Sequence, residues 1–208
     1  MPVDAAQPPW RALGRVQTEL GGRCTGFLVE KRTVLTAAHC LYRRTTGAYV
    51  QPGSVHFLLG YDRGRYAAHV RVAAFTIGPG YDPAREGETI GADWAKLTLA
   101  APIEAADRII AVASSLPALD TPARLAGYGR DRAEMVDADT RCAVTGILRD
   151  PGGRVLITHD CAGTAGTSGA PLMVEEHGVW KAAGVQVAAS QNGGGGVAAA
   201  ASDIKLGR

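Results

Sequence analysis

Long apolar runs are missing from this sequence of 208 residues. No run reaches the roughly 18 residues of a membrane-spanning helix, so no span is expected. The first residues, Met1 to Asp4, have neither the basic start nor the apolar core of a signal peptide. The sequence is therefore either a mature segment or a cytoplasmic protein.

The net charge is small, and apolar residues at helical spacing are scarce. The 22 Lys and Arg residues nearly balance the 20 Asp and Glu residues, and the basic ones are scattered. Because no block of like charge occurs, neither nucleic acid nor an acidic surface is expected as a partner. The 27 glycines and 11 prolines are spread through the chain, which is typical of many short strands and turns.

The cysteines number 4, with one pair in each half: Cys24 with Cys40, and Cys142 with Cys161. Neither pair has the C-x-x-C spacing of a zinc site. The first pair flanks a predicted hairpin and the second lies on strands expected to be neighbours, so two disulfides are predicted. Disulfides favour a secreted or periplasmic protein. Four buried free thiols in a cytosolic protein are the alternative.

Apolar and β-branched residues gather in short runs between turn residues. Strands are predicted at 23–29, 33–36, 55–59, 69–72, 94–99, 123–127, 141–148, 155–160, 170–174, 179–187 and 197–201. The segment 109–119 reads as a connector. Strands at such spacing predict an all-β protein of barrels or sandwiches. The connector divides the chain into residues 1–116 and 117–208.

Three segments contain the residue types of nucleophilic catalysis. They are Thr36 to Cys40, the aspartate that opens the apolar run 93–99, and Gly166 to Pro171. A serine hydroxyl needs a base within hydrogen-bond reach, and the base needs an orienting carboxylate. We therefore assign Ser168 as nucleophile, His39 as general base and Asp93 as orienting carboxylate. The amide groups of Gly166 and Ser168 are the expected oxyanion hole.

Other residues could fill these roles, and each fits less well. Asp62 and Asp82 lie in stretches rich in Gly and Pro and read as solvated turn residues. His159 is close to the serine in sequence but reads as structural. An α/β-hydrolase would need the motif Gly-x-Ser-x-Gly and a later catalytic histidine. Only His177 follows the serine, in a turn-like stretch.

Taken together, in the order His39, Asp93, Ser168, the segments resemble a trypsin-like (chymotrypsin-fold) serine protease. The resemblance covers most of residues 10–200. It implies two six-stranded antiparallel β-barrels with the active site between them. It also implies acyl-enzyme hydrolysis of peptide bonds in proteins or peptides, by a monomer that uses no cofactor or metal.

The sequence departs from the animal members of this family at two places. The sequences around Cys142 and Cys161 resemble the bacterial group that includes the glutamyl endopeptidases. Thr167 stands where animal members have an aspartate that pairs with a freed N-terminal amine. That activation switch is therefore not expected, and the chain beginning at Met1 should be active unless a separate pro-segment is missing.

Specificity in this family depends on the residue six places before the serine. Here it is Ala162, whose lack of charge predicts no preference for Arg or Lys. Gln186 stands where the glutamyl endopeptidases have a histidine, so an acidic preference is not expected either. Val187, Ala188 and Ala189 would form an apolar wall. The resemblance thus implies small or apolar P1 residues.

Two other functions remain open on the sequence alone. One is a binding module that keeps the fold without catalysis, because fold does not guarantee function. The other is an esterase that uses the same three residues. The acidic loop 82–88 has no dedicated calcium-ligand pattern, so a solvated loop is expected there and not a calcium site.

Overall fold

The computed structural model describes residues 1–129, 133–163, 166–190 and 194–206. Its strands are β1 Leu13–Thr18, β2 Arg23–Glu30, β3 Thr33–Thr36, β4 Tyr42–Arg43, β5 Ala48–Tyr49, β6 Val55–Leu59, β7 Ala68–Ile77, β8 Ala95–Leu99, β9 Pro122–Gly127, β10 Asp137–Arg149, β11 Val155–His159, β12 Pro171–Glu176, β13 Val179–Ala189 and β14 Gly196–Ala200. Helices are few and short. The α-helix is Glu86–Thr89, and the 3₁₀ turns are Trp10–Ala12, Ala38–Leu41, Pro52–Ser54, Pro83–Arg85, Ile90–Ala92, Ala106–Arg108 and Ala201–Asp203.

Two closed six-stranded barrels contain most of these strands. The first has the order β1-β2-β3-β8-β7-β6 and the second β10-β11-β14-β13-β12-β9, with antiparallel neighbours throughout. Strands β4 and β5 form a separate small ribbon. The predicted all-β class with two six-stranded barrels is confirmed. Closure leaves neither sheet with a free edge.

Alternation of buried and exposed residues gives the N-terminal barrel its core. Val34 on β3 pairs with Leu97 on β8, and both side chains are fully buried. The Phe57 ring lies directly over Gly14 of β1, where an added Cβ would come within 2.4 Å of it. Glycine is therefore required for β1 and β6 to approach this closely.

Small residues build much of the C-terminal barrel. The run Ala198 to Ala200 on β14 is buried and pairs with both β11 and β13. Larger side chains, among them Leu125, Ile157 and Leu172, fill the space that these alanines leave. The core thus combines large and small side chains, as close packing requires.

A disulfide lies in each half of the chain. Cys24 on β2 is bonded to Cys40, and Cys142 on β10 is bonded to Cys161 just after β11. The bridged residues are 16 and 19 positions apart. Closing a loop of this size stabilises the fold by about 3 kcal/mol in the chain-entropy model.

The predicted strands lack β1 of the first barrel and the short strands β4 and β5 outside the barrels. Strand β1 contains Gly14 and the buried Arg15, which break the usual apolar alternation. Strand β7 was predicted in part, as 69–72, and runs from Ala68 to Ile77. The prediction ended at residue 72 because the pairing of β7 with β8 shifts register between Val72 and Ala74, which interrupts the alternation of apolar and polar residues.

The connector between the barrels has hydrogen bonds to both. The amide of Ile110 donates to Leu28 O at 3.0 Å, and that of Ala113 to Ala182 O at 2.9 Å. At the N-terminus, Val3 pairs with Val136 of the second half. A division of the chain at 116/117 stays a prediction. Among the helices of the described ranges, none is long and apolar enough to cross a membrane.

Candidate active site

His39 and Asp93 form a hydrogen-bonded pair on the N-terminal barrel. The ring nitrogen Nδ1 of His39 lies 2.7 Å from Asp93 Oδ2, and the His39 backbone N–H donates to Oδ1 at 2.9 Å. Both carboxylate oxygens are therefore used. Asp93 is 4% exposed, and a carboxylate so buried needs such partners. The arrangement holds Nδ1 toward Asp93, which leaves Nε2 as the acceptor nitrogen.

Strand pairing brings these two residues together. Thr36 at the end of β3 is opposite Ala95 at the start of β8. His39 follows β3 by three residues, in the 3₁₀ turn Ala38–Leu41, and Asp93 precedes β8 by two. Because the strands are antiparallel neighbours, both side chains lie at one end of the barrel.

Two opposing effects act on the pKa of His39. Burial of the ring lowers the pKa, but the hydrogen bond and negative charge of Asp93 outweigh it, so that the pKa lies above its usual value of 6.5. Of the nearby exposed charges, Glu86 raises the pKa and Arg44 lowers it. These two side chains are paired with each other at 2.6–2.7 Å.

The segment that contains Ser168 makes a tight turn between two glycines in left-handed conformations. Gly166 has φ 105° and Gly169 has φ 82°, values that other residues adopt only with strain. A Cβ on Gly169 would lie 2.2 Å from Thr25 O and 2.9 Å from Ala37 N. The turn therefore packs directly on the backbone that leads to His39.

Thr25 fixes this turn from the other barrel. Its backbone N–H donates to Ser168 O at 2.9 Å, and its hydroxyl donates to Gly166 O at 3.1 Å. The same hydroxyl accepts from Tyr128 N–H at 2.9 Å. Thr25 is fully buried. Sequence reasoning missed it, because a threonine in the middle of a strand has no distinguishing pattern.

A cleft beside His39 lies between the two barrels. Its volume is about 330 Å³, and its lining includes His39, Asp93 and Ile90 from the first half and Val187 and Ala188 from the second. Within the described residues, no hydrogen bond joins the Ser168 hydroxyl to the His39 ring. This contact is often long in substrate-free enzymes and shortens when substrate binds.

The predicted pocket residues do not all line one cavity. Val187 and Ala188 line the His39 cleft, whereas Ala162 lines a different cavity of about 220 Å³ with Thr167. Ala162 and Ala189 are exposed. The carboxylate of Asp139 lies in the same cavity as Ala162 and accepts its backbone N–H at 2.9 Å.

The rival residues have other roles. His159 is buried, with Nε2 2.7 Å from Gln186 Oε1, and accepts the Cys161 N–H at Nδ1. Burial lowers the pKa of His159, which favours the neutral ring. Asp82 accepts from Ala84 N–H and pairs with Arg85, as a turn residue does.

Metal-binding potential near this site is limited by the disulfides. In the described ranges, the groups of three or more donor residues are Cys24, His39 and Cys40, and Cys142, Asp160 and Cys161. Their sulfurs are bonded to each other. A disulfide sulfur lacks the thiolate charge that metal binding by cysteine uses.

Asp150 holds the loop before Asp93 from the C-terminal barrel. Its side chain is fully buried, and Oδ2 accepts from Gly91 N–H at 3.1 Å and from Arg154 Nη1 at 2.9 Å. A Cβ on Gly91 would lie 2.9 Å from the carboxylate. In the sequence, Asp150 reads as the first residue of an ordinary Asp-Pro-Gly-Gly turn.

Comparisons with known proteins agree with this geometry. A protein-family model described as Trypsin matches residues 2–205. A solved structure of a Glu endopeptidase in complex with MPD superimposes with a TM-score of 0.76, covering 98% of this chain and 92% of that chain at 20% identity. That likeness shows a shared fold. A search of curated protein sequences gave no significant match.

We predict that Asp150→Asn destabilises the protein by about 2–4 kcal/mol, because Arg154 loses its buried partner and Gly91 a charged acceptor. Urea unfolding at neutral pH measures this loss. The matched control is Asp107→Asn, which removes an exposed ion pair with Arg11 and should cost under about 1 kcal/mol. Equal stability of the two variants would contradict the role of Asp150.

Proposed function

The chain belongs to the trypsin family of serine endopeptidases, and from this premise we propose that it cleaves peptide bonds through an acyl-enzyme on Ser168. The observation that supports this most directly is the pairing of His39 with the buried Asp93 at 2.7 Å. The pairing fixes the tautomer that a general base needs. The Thr25 contacts, which hold the turn around Ser168, support the placement of the nucleophile.

Acylation and deacylation use the same residues in opposite order. His39 Nε2 takes the proton from Ser168 Oγ as the oxygen attacks the scissile carbonyl carbon, then gives that proton to the leaving amine. In the second half, His39 takes a proton from water, the resulting hydroxide oxygen attacks the acyl carbon, and the proton returns to Ser168 Oγ. Asp93 stays ionised and stabilises the imidazolium.

The oxyanion of each tetrahedral intermediate needs hydrogen-bond donors. We assign them to the backbone N–H groups of Gly166 and Ser168. The left-handed conformation of Gly166 favours a turn that can direct successive amides toward one point. One such donor is worth about 3–4 kcal/mol of barrier.

For the P1 side chain we propose small or apolar residues. The supporting observations are the uncharged Ala162 and the wall formed by Val187, Ala188 and Ala189, of which the first two line the cleft beside His39. Along this apolar wall a charged P1 group would lose water without gaining a partner, and the Asp139 carboxylate in the cavity beside Ala162 already accepts the amide N–H groups of Ala162 and Arg141. We further propose that the protein acts as a secreted or periplasmic monomer, consistent with its two disulfides.

Removal of the nucleophile tests the mechanism. Ser168→Ala should lower kcat/KM on a peptide substrate by about five to six orders of magnitude, and His39→Ala by a similar factor. The double variant should lose little more, because the residues act as a unit. The control Ser202→Ala alters an exposed serine far along the chain and should retain activity.

A fluorophosphonate reagent distinguishes the remaining alternatives. It should label the parent chain on Ser168 and leave Ser168→Ala unlabelled. A parent chain that is not labelled would support a non-catalytic binding module. Turnover of esters with none of peptides would indicate an esterase instead.

The activity should depend on the protonation of His39. Since only the neutral ring accepts a proton, kcat/KM should be low below the pKa of His39 and rise with pH through a midpoint above 6.5. Glu86→Gln removes a charge that raises this pKa, so it should lower the midpoint. Glu104→Gln, an exposed glutamate paired with Lys31, should leave the midpoint unchanged. A midpoint that moves equally in both variants would exclude the local effect.

A peptide-library profile tests the P1 proposal. The parent should favour small or apolar P1 residues. Ala162→Asp should increase cleavage after Arg or Lys at least tenfold, because the new carboxylate would pair with these cationic side chains. A parent that already prefers Arg or Lys would contradict the proposal. If Asp139→Asn abolished that preference, the carboxylate beside Ala162 would be its source.

A further inference from the structure

Two histidines lie side by side on the outer face of the N-terminal barrel. His56 is on β6 and His69 on β7, and the strand register pairs His69 with Leu58, two residues from His56. They are therefore diagonal neighbours on the same face, which long and aromatic side chains can span. Their ring centroids are 5.0 Å apart. Neither residue is part of the proposed catalytic site.

The nitrogens of the two rings are spaced like cis ligands of a metal ion. His56 Nδ1 lies 2.8 Å from His69 Nε2. With metal–nitrogen bonds of about 2.0–2.1 Å, this separation of 2.8 Å subtends roughly 85° at the metal. Tetrahedral zinc would need about 3.3 Å between the nitrogens. Angles near 90° are typical of square-planar and octahedral ions such as Cu²⁺ and Ni²⁺.

A carboxylate stands behind the first ring, where a metal-binding histidine commonly has one. Glu19 Oε1 lies 3.5 Å from Nε2 of His56, the nitrogen on the far side of the ring from His69. The same oxygen lies 3.3 Å from Arg71 Nη2, which restrains the carboxylate. A proton on Nε2 directed at Glu19 leaves Nδ1 available as a ligand.

The second ring is restrained as well. Tyr66 packs edge-on against His69, with centroids 5.5 Å apart. His69 is exposed, so water can complete the coordination sphere of an ion that binds there. His56 is held between β1 and β7, since it pairs with Gln17 on one side and Arg71 on the other. Both donors thus project from one rigid strand pair.

We propose that His56 and His69 form a surface site for a divalent transition-metal ion of the copper or nickel type. The ion takes the place of the proton that the two rings share. One ring changes tautomer as this proton moves to its outer nitrogen, and no net proton or electron is transferred. Glu19 accepts from His56 Nε2 and orients that ring, while water occupies the other positions.

Calorimetric titration of the tag-free chain in a non-chelating buffer tests the site. Cu²⁺ and Ni²⁺ should each bind with one equivalent, and Zn²⁺ should bind more weakly than Cu²⁺. His69→Asn and His56→Asn should each weaken binding at least tenfold. Glu19→Gln should weaken it by about tenfold or more, because second-shell carboxylates affect affinity by roughly that factor. Electron paramagnetic resonance of the Cu²⁺ complex should show nitrogen ligands that each histidine variant loses.

The matched control is His177→Asn, an exposed histidine at φ 53° in the turn after β12, where asparagine is well tolerated. Its affinity should equal that of the parent chain. Thermal unfolding adds a second readout, since Ni²⁺ should raise the Tm of the parent and of the control but not of His69→Asn. Equal affinity in His69→Asn and His177→Asn, or no metal-dependent rise in Tm in any form, would overturn the proposal.

Discussion

Thr25 is a buried residue whose hydrogen bonds tie the two barrels together beside the proposed site. One buried residue on β2 bonds to both Gly166 and Ser168 of the second half through its backbone and hydroxyl. Its carbonyl accepts the Thr36 hydroxyl at 2.7 Å, at the end of the strand that leads to His39. Buried polar groups need hydrogen-bond partners, and these bonds form together only when the two barrels have the relative placement seen here. The turn around Ser168 and the segment before His39 are thereby fixed to the same residue.

A second buried contact crosses the same interface, and here a residue of the C-terminal barrel holds a loop of the N-terminal one. Asp150 of the C-terminal barrel accepts the amide of Gly91 from the N-terminal barrel, two residues before Asp93. Each barrel therefore positions part of the proposed catalytic machinery of the other: Thr25 the turn around Ser168, and Asp150 the loop before Asp93. Separating the barrels would leave buried donors and acceptors unpaired on both sides, which links site geometry to overall stability.

The sequence was informative where a feature is local and less so where it depends on docking. Runs of alternating residues predicted most strands, and the segments around His39, Asp93 and Ser168 predicted the class of protein. Strand β1 was missed because Gly14 is unusual in a strand, and the reason for it is the Phe57 ring that lies against it from a neighbouring strand. Thr25 and Asp150 had no local signal, since their partners lie 141 and 59 positions away. Their roles arise from long-range contacts that a pattern of neighbours does not encode.

The electrostatics of His39 show why the buried partner matters more than the surface charges. Burial alone would lower the pKa of the ring and weaken it as a base, yet the balance is reversed because Asp93 Oδ2 lies 2.7 Å from Nδ1 in a direct hydrogen bond. Arg44 and Glu86 are paired with each other and act on the pKa of the same ring in opposite directions. Solvent and salt screen their influence. The protonation of His39 is thus governed by a carboxylate that the fold itself holds in place, through the turn Ile90–Ala92 and its contact with Asp150.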